Sequence, residues 1–264
     1  MSSPDSNRTV EFNPSSSAGA RSDSRARFHS THWSVVFRAG DTSRQEHREA
    51  LETLFSTYWY PLYAYTRRSG MDRSNAEDAT QAFFVKVLED NFVEDADPEK
   101  GKFRSFLLVV FKRFLANRHA HENTMRRGGG QKLLSLDFES SEQRYAMEPT
   151  ENWTADRLFD RQWAITLLNR VMQLLEESYI GKGKQDLFLG LRRYLSGKAS
   201  GDSDVSYEDL ANRLGMTDSA VRVAIHRMRV SYREILHEEI AKTLIDPAEV
   251  EGEIRFLRNA IRGD

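Results

Sequence analysis

The apolar residues between positions 103 and 115 recur at the spacing of an α-helix. Phe103 is followed at i+3, i+4, i+7, i+8, i+11 and i+12 by Phe106, Leu107, Val110, Phe111, Phe114 and Leu115. A stripe of this kind covers one side of a helix, so it must pack against other elements to leave water. The glycines of "RRGGGQK" end the helix, because glycine continues a helix only at a cost. The chain must therefore contain at least one long helix that is half buried.

The same period recurs along most of the chain, and no segment shows the clear alternation of a strand. The pattern Ser74–Glu77, "SNAE", predicts a capping box at the start of another helix. We therefore predict an all-α protein. Residues 128–155 show little periodicity, and we expect them to be a flexible linker between two helical domains. The predicted division is a disordered N-terminal tail (1–29), a helical domain (30–127), the linker (128–155), a second helical domain (156–236) and a C-terminal helical extension (237–264).

The composition excludes several classes of protein. The chain has 264 residues and no cysteine, which rules out disulfides, thiol catalysis and cysteine-ligated zinc. No apolar run approaches the roughly 20 residues of a membrane span. The Ser-rich N-terminus lacks the apolar stretch of a signal peptide. We expect a cytoplasmic protein without a cofactor or a metal.

Charge is segregated along the chain although the net charge is only −2. Residues 72–99 carry a net charge of −7, whereas residues 102–132 carry +7. Adjacent acidic and basic blocks can attract two different partners. The alternative is two solvated faces that are neighbours by chance.

Residues 206–229, "SYEDLANRLGMTDSAVRVAIHRMR", have the spacing of a helix-turn-helix. Ala211 is small where a second helix must approach, and Gly215 supplies the left-handed conformation of a tight turn. Thr217 is the predicted cap of the second helix. The predicted buried stripe of that helix is Val221, Ala224, Ile225 and Met228.

The remaining positions of the second helix are basic or polar, and its N-terminal part would enter the major groove. Arg222 and His226 are placed to contact base edges, and nearby arginines to contact phosphates. The predicted DNA-binding residues here are Ser219, Arg222, His226, Arg227 and Arg229. The alternative is an ordinary helical hairpin within a bundle.

The order of these parts resembles the extracytoplasmic-function class of bacterial RNA polymerase sigma factors. The stretches "YWYPLYAYTRRSGMDRSNAEDATQAFFVKVLE" and "FRSFLLVVFKRFLANRHAHENTMRRGGG" resemble sigma region 2. "RQWAITLLNRVMQLLEESY" through "YEDLANRLGMTDSAVRVAIHRMRVSYREIL" resembles region 4. "AEDATQAFF" is similar to the family's acidic-x-x-Gln-x-x-Phe pattern. "THWSVV", "RGGG" and "LSLD" are similar to a subgroup common in planctomycete-like genomes.

The resemblance implies a function in transcription initiation. Region 2 would bind the β′ clamp helices of core RNA polymerase and recognise and melt the minus-ten element of promoter DNA. Region 4 would bind the β flap and recognise the minus-thirty-five element. Asp78, Gln81 and Phe84 fall in the stretch that contacts polymerase, and the loop from about Asn91 to Lys102 falls where the non-template strand is captured. An anti-sigma factor is a further partner that the resemblance leaves open.

A basic helix also suits strand binding on chemical grounds, because phosphates attract charge. The phenylalanines of residues 103–115 are assigned to the core, so the DNA contacts are assigned to the other side of the helix. These predicted contacts are Arg104, Lys112, Arg113, Asn117, Arg118 and His121. For each one the alternative is a solvated helix face.

The chain departs from the family in three places. The usual Leu-Pro opening of region 4 is missing, a polar insert occupies residues 196–205, and both termini are extended. Two other functions compete with a sigma factor. An enzyme is disfavoured because no metal-ligand pair, Walker loop or nucleophile elbow is present. A transcriptional regulator acting without polymerase would explain the helix-turn-helix alone, but not the acidic and basic blocks before it.

Overall fold

The computed structural model describes residues 35–36, 39, 46–90, 96–97, 99, 101–122, 138–148, 153–196 and 207–263. Within these ranges the chain forms nine α-helices and no strand, which confirms the all-α prediction. The helices are α1 (Glu46–Arg68), α2 (Arg73–Asp90), α3 (Phe103–Glu122), α4 (Phe138–Ala146), α5 (Ala155–Gly181), α6 (Gln185–Leu191), α7 (Tyr207–Leu214), α8 (Asp218–Ala241) and α9 (Val250–Arg262). Short 3-10 turns occupy Arg192–Ser196 and Pro247–Glu249. The predicted N-terminal tail and most of the insert at 196–205 lie outside the described residues.

The start of α2 differs from its predicted cap. The helix begins at Arg73, so Ser74 lies inside it. The carboxylate of Asp72 accepts the backbone N–H of Asn75 at 2.9 Å, and this hydrogen bond lowers the pKa of that carboxyl. Glu77 pairs with Arg73 at 2.7 Å instead of closing a capping box. The prediction was wrong by two residues, because an Asp and a Ser stood close together and both residue types cap helices well.

The first apolar cluster is built around aromatic rings from α1, α2 and α3. The rings of Phe83 and Phe111 meet edge-on with their centroids 4.7 Å apart, an arrangement that aromatic rings prefer. The predicted stripe of α3 is confirmed as the face that packs into this cluster. Trp163 of α5 and Leu257 of α9 are buried in the same cluster, so it also includes residues from the C-terminal half of the chain.

The second apolar cluster lies around the helix-turn-helix. Leu175 of α5, Phe188 of α6, Leu210 of α7 and Val221 of α8 are all buried in it. Because Trp163 and Leu175 belong to different clusters, α5 runs from one to the other. α8 does the same, since its last turns place Ile240 in the first cluster. Residues from Thr31 to the C-terminus form one compact unit.

The segment predicted as a flexible linker contains α4, which is fastened to α1 by charged groups. The Glu142 carboxylate accepts hydrogen bonds from Arg67, with the shortest at 2.6 Å from Nη2, and a further one from the Tyr63 hydroxyl. Just beyond α4, Glu148 forms an ion pair with Arg161 of α5. This part of residues 128–155 is therefore ordered against the helices on either side of it in the sequence.

Candidate nucleic-acid interface

The turn between α7 and α8 has the geometry that its sequence predicts. Gly215 adopts a left-handed conformation with φ of +62°. The backbone N–H of Met216 returns to the carbonyl of Ala211 at 2.9 Å, which closes the C-terminal end of α7. The Thr217 hydroxyl accepts the backbone N–H of Ala220 at 3.3 Å and caps α8. The predicted turn glycine and the predicted cap are both confirmed.

The inner face of α8 is also as predicted. Val221, Ile225 and Met228 are buried, and Ala224 packs against the same cluster. Opposite them, α6 approaches α7 so closely that a Cβ atom on Gly190 would lie 3.2 Å from Cδ1 of Leu210. α6, α7 and α8 therefore pack together through the second cluster, and the other face of α8 is turned outward.

The outward face of α8 carries most of the predicted DNA-binding residues of this motif. Ser219, Arg222, His226 and Arg227 are exposed, and the Ser219 and Thr217 hydroxyls lie 3.1 Å apart. A polar and cationic face on the N-terminal half of such a helix has the chemistry needed to contact phosphates and base edges.

Arg229 has a different role from its neighbours. Its Nε and Nη2 atoms donate to the backbone carbonyl of Tyr194 at 3.2 and 2.8 Å. Tyr194 is buried, so the guanidinium holds the 3-10 turn after α6 against α8. Arg229 is nevertheless exposed, so its assignment to DNA stays a prediction beside this structural contact.

The predicted DNA contacts on α3 differ in their exposure and in their partners. Arg113 and Asn117 are exposed, and Arg118 is half-buried. Lys112 forms an ion pair with Asp156 of α5 and lies near the Tyr65 ring, although both charged side chains keep much of their surface in solvent. Hydrogen bonding to Asp156 raises the pKa of the Lys112 amine. The side chain of His121 lies outside the described residues.

Arg104 does not lie on the exposed side of α3. It is seven residues before Phe111, two helical turns away, so the two residues share the buried face. The side chain of Arg104 is only 6% exposed and forms an ion pair with Glu253 of α9. Its guanidinium carbon lies 4.5 Å from the ring centres of both Trp163 and Phe256. The prediction that Arg104 contacts DNA is wrong for this conformation.

A second carboxylate lies near this arginine. Asp160 of α5 approaches the Arg104 Nε at 3.7 Å. Burial raises the pKa of the Asp160 carboxyl, and the positive charge of Arg104 opposes part of that rise. The guanidinium is therefore held between two acids and two aromatic rings.

The three residues predicted to bind polymerase lie on α2 in different environments. Asp78 is exposed and Gln81 is half-buried. Phe84 is 1% exposed, and its ring centre lies 4.5 Å from that of Phe55. A side chain so enclosed cannot contact a protein surface directly, so Phe84 is corrected to a core residue that supports the exposed positions.

The sequence interpretation missed Lys102 and Glu253, which face each other across α3 and α9. The Glu253 side chain is completely enclosed and accepts hydrogen bonds from Lys102 and Arg104. One signal was present in the sequence. Glu253 falls within the arc of α9 that Val250, Ile254 and Leu257 make apolar, and a lone acid on an apolar arc requires a buried cation.

Comparisons with known proteins yield no match for this chain among protein-family models, curated proteins or solved structures. Among the described helices, none combines the length and apolar character needed to cross a membrane. In the same part of the chain, no three His, Asp or Glu side chains converge as metal ligands.

Proposed function

We propose that this protein is a sigma factor of the extracytoplasmic-function class, which binds core RNA polymerase and directs it to promoters. In this proposal α1–α3 act as region 2 at the minus-ten element. The helix-turn-helix of α7 and α8 acts as region 4 at the minus-thirty-five element. The two-domain division at the linker, and control by an anti-sigma factor, belong to the same proposal.

One observation carries the DNA-binding part of the proposal. α8 begins at a capped turn, buries Val221 and Ile225, and presents Arg222, His226 and Arg227 to solvent. A packed scaffold that exposes a cationic N-terminal half of a helix is the arrangement that major-groove recognition requires. The polymerase part rests on the exposed Asp78 of α2 and on the resemblance of the sequence around it.

A second candidate function is a transcriptional regulator that acts without polymerase. It is favoured by the loss of two predicted cations from the basic side of α3. Arg104 is buried against Glu253, and Lys112 is paired with Asp156. The cationic face of α8 does not depend on either residue and would serve a regulator equally well.

Association with core polymerase separates the two functions. The purified chain is mixed with core RNA polymerase, and co-elution and promoter-dependent transcription are measured. A sigma factor elutes with core and binds free duplex DNA weakly. A regulator binds duplex DNA alone at nanomolar concentration and elutes apart from core, and that result would reject our proposal.

Charge reversal on α2 tests the polymerase contact at one residue. Asp78→Lys should weaken core association without changing the unfolding transition, because Asp78 is exposed. Glu177→Lys is the matched control, since Glu177 is exposed on α5 and gives the same change of charge. Equal core affinities for both variants would remove Asp78 from the interface.

A further inference from the structure

The C-terminal helix α9 covers the beginning of α3. Its apolar side packs into the first cluster through the buried Val250 and Leu257, with Ile254 and Ile261 partly buried beside them. In the middle of this apolar side, the enclosed carboxylate of Glu253 meets Lys102 and Arg104. Glu253 therefore pairs with Lys102 and Arg104, the first two cations of the basic block at residues 102–132.

The two cations have the surroundings of an anion-binding site. Lys102 and Arg104 lie at the start of α3, a helix of 20 residues, where the helix dipole also favours negative charge. The Arg104 guanidinium lies over the ring of Trp163 of α5, a contact that does not depend on α9 and restricts the direction of its donors. A phosphate group needs the same donors that the Glu253 carboxylate now takes.

The contact between α9 and the beginning of α3 consists mainly of this ion pair, whereas the apolar side of α9 packs against α5 and α8. A buried ion pair adds little net stability, because both charges lost their hydration when the pair formed. When α9 moves away, Lys102, Arg104 and Glu253 regain that hydration. Beside this contact, an open surface pocket of about 210 Å³ lies between α5 and α9, lined among others by Arg157, Asp160 and Asn259.

We propose that Lys102 and Arg104 form a binding site for a nucleic-acid phosphate, and that Glu253 of α9 occupies this site in the closed chain. α9 is then a built-in competitor of single-stranded DNA at the start of α3. The inference rests on the proposed function for its biological meaning. The binding itself can be measured without polymerase.

The test compares the full chain with Glu253→Gln and with a chain that ends at residue 246. Binding of a fluorescent single-stranded oligonucleotide is measured over a range of salt concentrations. Two additional phosphate contacts should raise the affinity at low salt by about tenfold or more. They should also steepen the slope of log affinity against log salt by about 1.4. Glu251→Gln is the matched control, because Glu251 is exposed on the same helix and gives the same change of charge.

A second substitution identifies the site. Arg104→Gln should remove about half of the gain in the chain ending at residue 246, because Lys102 remains, but leave the weak binding of the full chain unchanged. Equal affinities and salt slopes for the full chain, Glu253→Gln and the truncated chain would overturn the proposal. So would a gain that is undiminished by Arg104→Gln. If the truncated chain does not fold, Glu253→Gln alone decides, with folding verified by circular dichroism.

The two proposals fail in different experiments. A chain that does not associate with core polymerase contradicts the sigma function, whatever its salt slope. A chain that drives promoter-dependent transcription, but whose salt slope is unchanged by Glu253→Gln, contradicts only the role of α9.

Discussion

The indole N–H of Trp163 donates to the hydroxyl of Tyr58 at 3.2 Å, across 105 residues of sequence. Both side chains are 1% exposed, and burial raises the pKa of the Tyr58 hydroxyl. The hydrogen bond joins α1 to α5 within the first apolar cluster. These two helices come from the two sides of the predicted linker, so the contact couples segments that the sequence suggested were separate.

Removal of this hydroxyl should destabilise the whole unit. Tyr58→Phe removes the hydroxyl that accepts the buried Trp163 N–H, at a cost of about 1–3 kcal/mol. Urea unfolding followed by Trp fluorescence and by circular dichroism measures the change. Tyr65→Phe is the control, because no side-chain hydrogen bond of the Tyr65 hydroxyl occurs among the described residues. Similar losses in both variants would show that the Tyr58–Trp163 bond contributes nothing specific.

The carboxylate that fastens α4 should make stability depend on pH. Hydrogen bonding from Arg67 lowers the pKa of Glu142 in the folded chain. The contribution of the ionised Glu142 to the free energy of unfolding is therefore fully present above the unfolded pKa of about 4.3. It is lost as the pH falls through the lower pKa that Glu142 has in the folded chain. Glu142→Gln should reduce the free energy of unfolding at pH 7 by about 1 kcal/mol, because the pair is partly exposed.

The deficit of this variant should be smaller at pH 3, because the unfolded carboxyl is then largely protonated and part of the contribution of Glu142 to the free energy of unfolding is already lost. Urea titrations at the two pH values measure the difference. Glu177→Gln, which is exposed, should show no difference at either pH. A deficit of Glu142→Gln that is equal at pH 7 and pH 3 would exclude the ionised carboxylate as the cause.

Substitutions of Gly215 in the turn of the helix-turn-helix should change stability only through the backbone conformation that this position requires. Gly215 has φ of +62°, and a Cβ atom there would meet no atom within 4 Å. Gly215→Ala should cost about 1 kcal/mol through the left-handed conformation, and Gly215→Asn should cost less because asparagine tolerates it. Thermal unfolding ranks the variants, and an alanine variant as stable as the native chain would contradict the assigned strain.

The two neighbouring arginines of α8 should separate stability from DNA binding. Arg229→Ala removes the donors to the Tyr194 carbonyl and should lower the free energy of unfolding by about 1 kcal/mol. Arg227→Ala removes only an exposed cation, so its stability should change by less than about 0.5 kcal/mol. Duplex binding should show the reverse order, with the salt slope of Arg227→Ala reduced by about 1. Equal effects of both variants on stability would contradict the structural role of Arg229.

The local chemistry of the helix-turn-helix made it predictable from sequence. A turn glycine, a threonine cap and a stripe at Val221, Ile225 and Met228 lie within a dozen or so residues, and each acts on its immediate neighbours. The buried face of α3 was predictable for the same reason, because a helical period fixes which side chains share a side.

The partner of Arg104 could not be found in this way. This partner, Glu253, lies 149 residues further along the chain, and nothing near Arg104 in the sequence indicates it. A charged residue was assigned to the solvent side although it shares a face with Phe111. Phe84 was assigned to an interface by resemblance, whereas its burial depends on how α2 packs against α1. The periodicity of α3 was enough to place Arg104 on the face of Phe111, whereas the partner of Arg104 and the burial of Phe84 depend on contacts between helices, which periodicity within one helix does not determine.

α8 has 24 residues, so it is about 36 Å long. Its first turns are packed in the second cluster, and Ile240 near its other end is packed in the first. A continuous helix held at both ends fixes the rotation of its exposed arginines relative to the remainder of the molecule. One base pair inserted between two DNA elements turns one of them by roughly 35° about the duplex axis. Under the proposed function, a chain with this connection would therefore bind best to promoters in which one number of base pairs separates the two elements, because other spacings rotate one element away from α8.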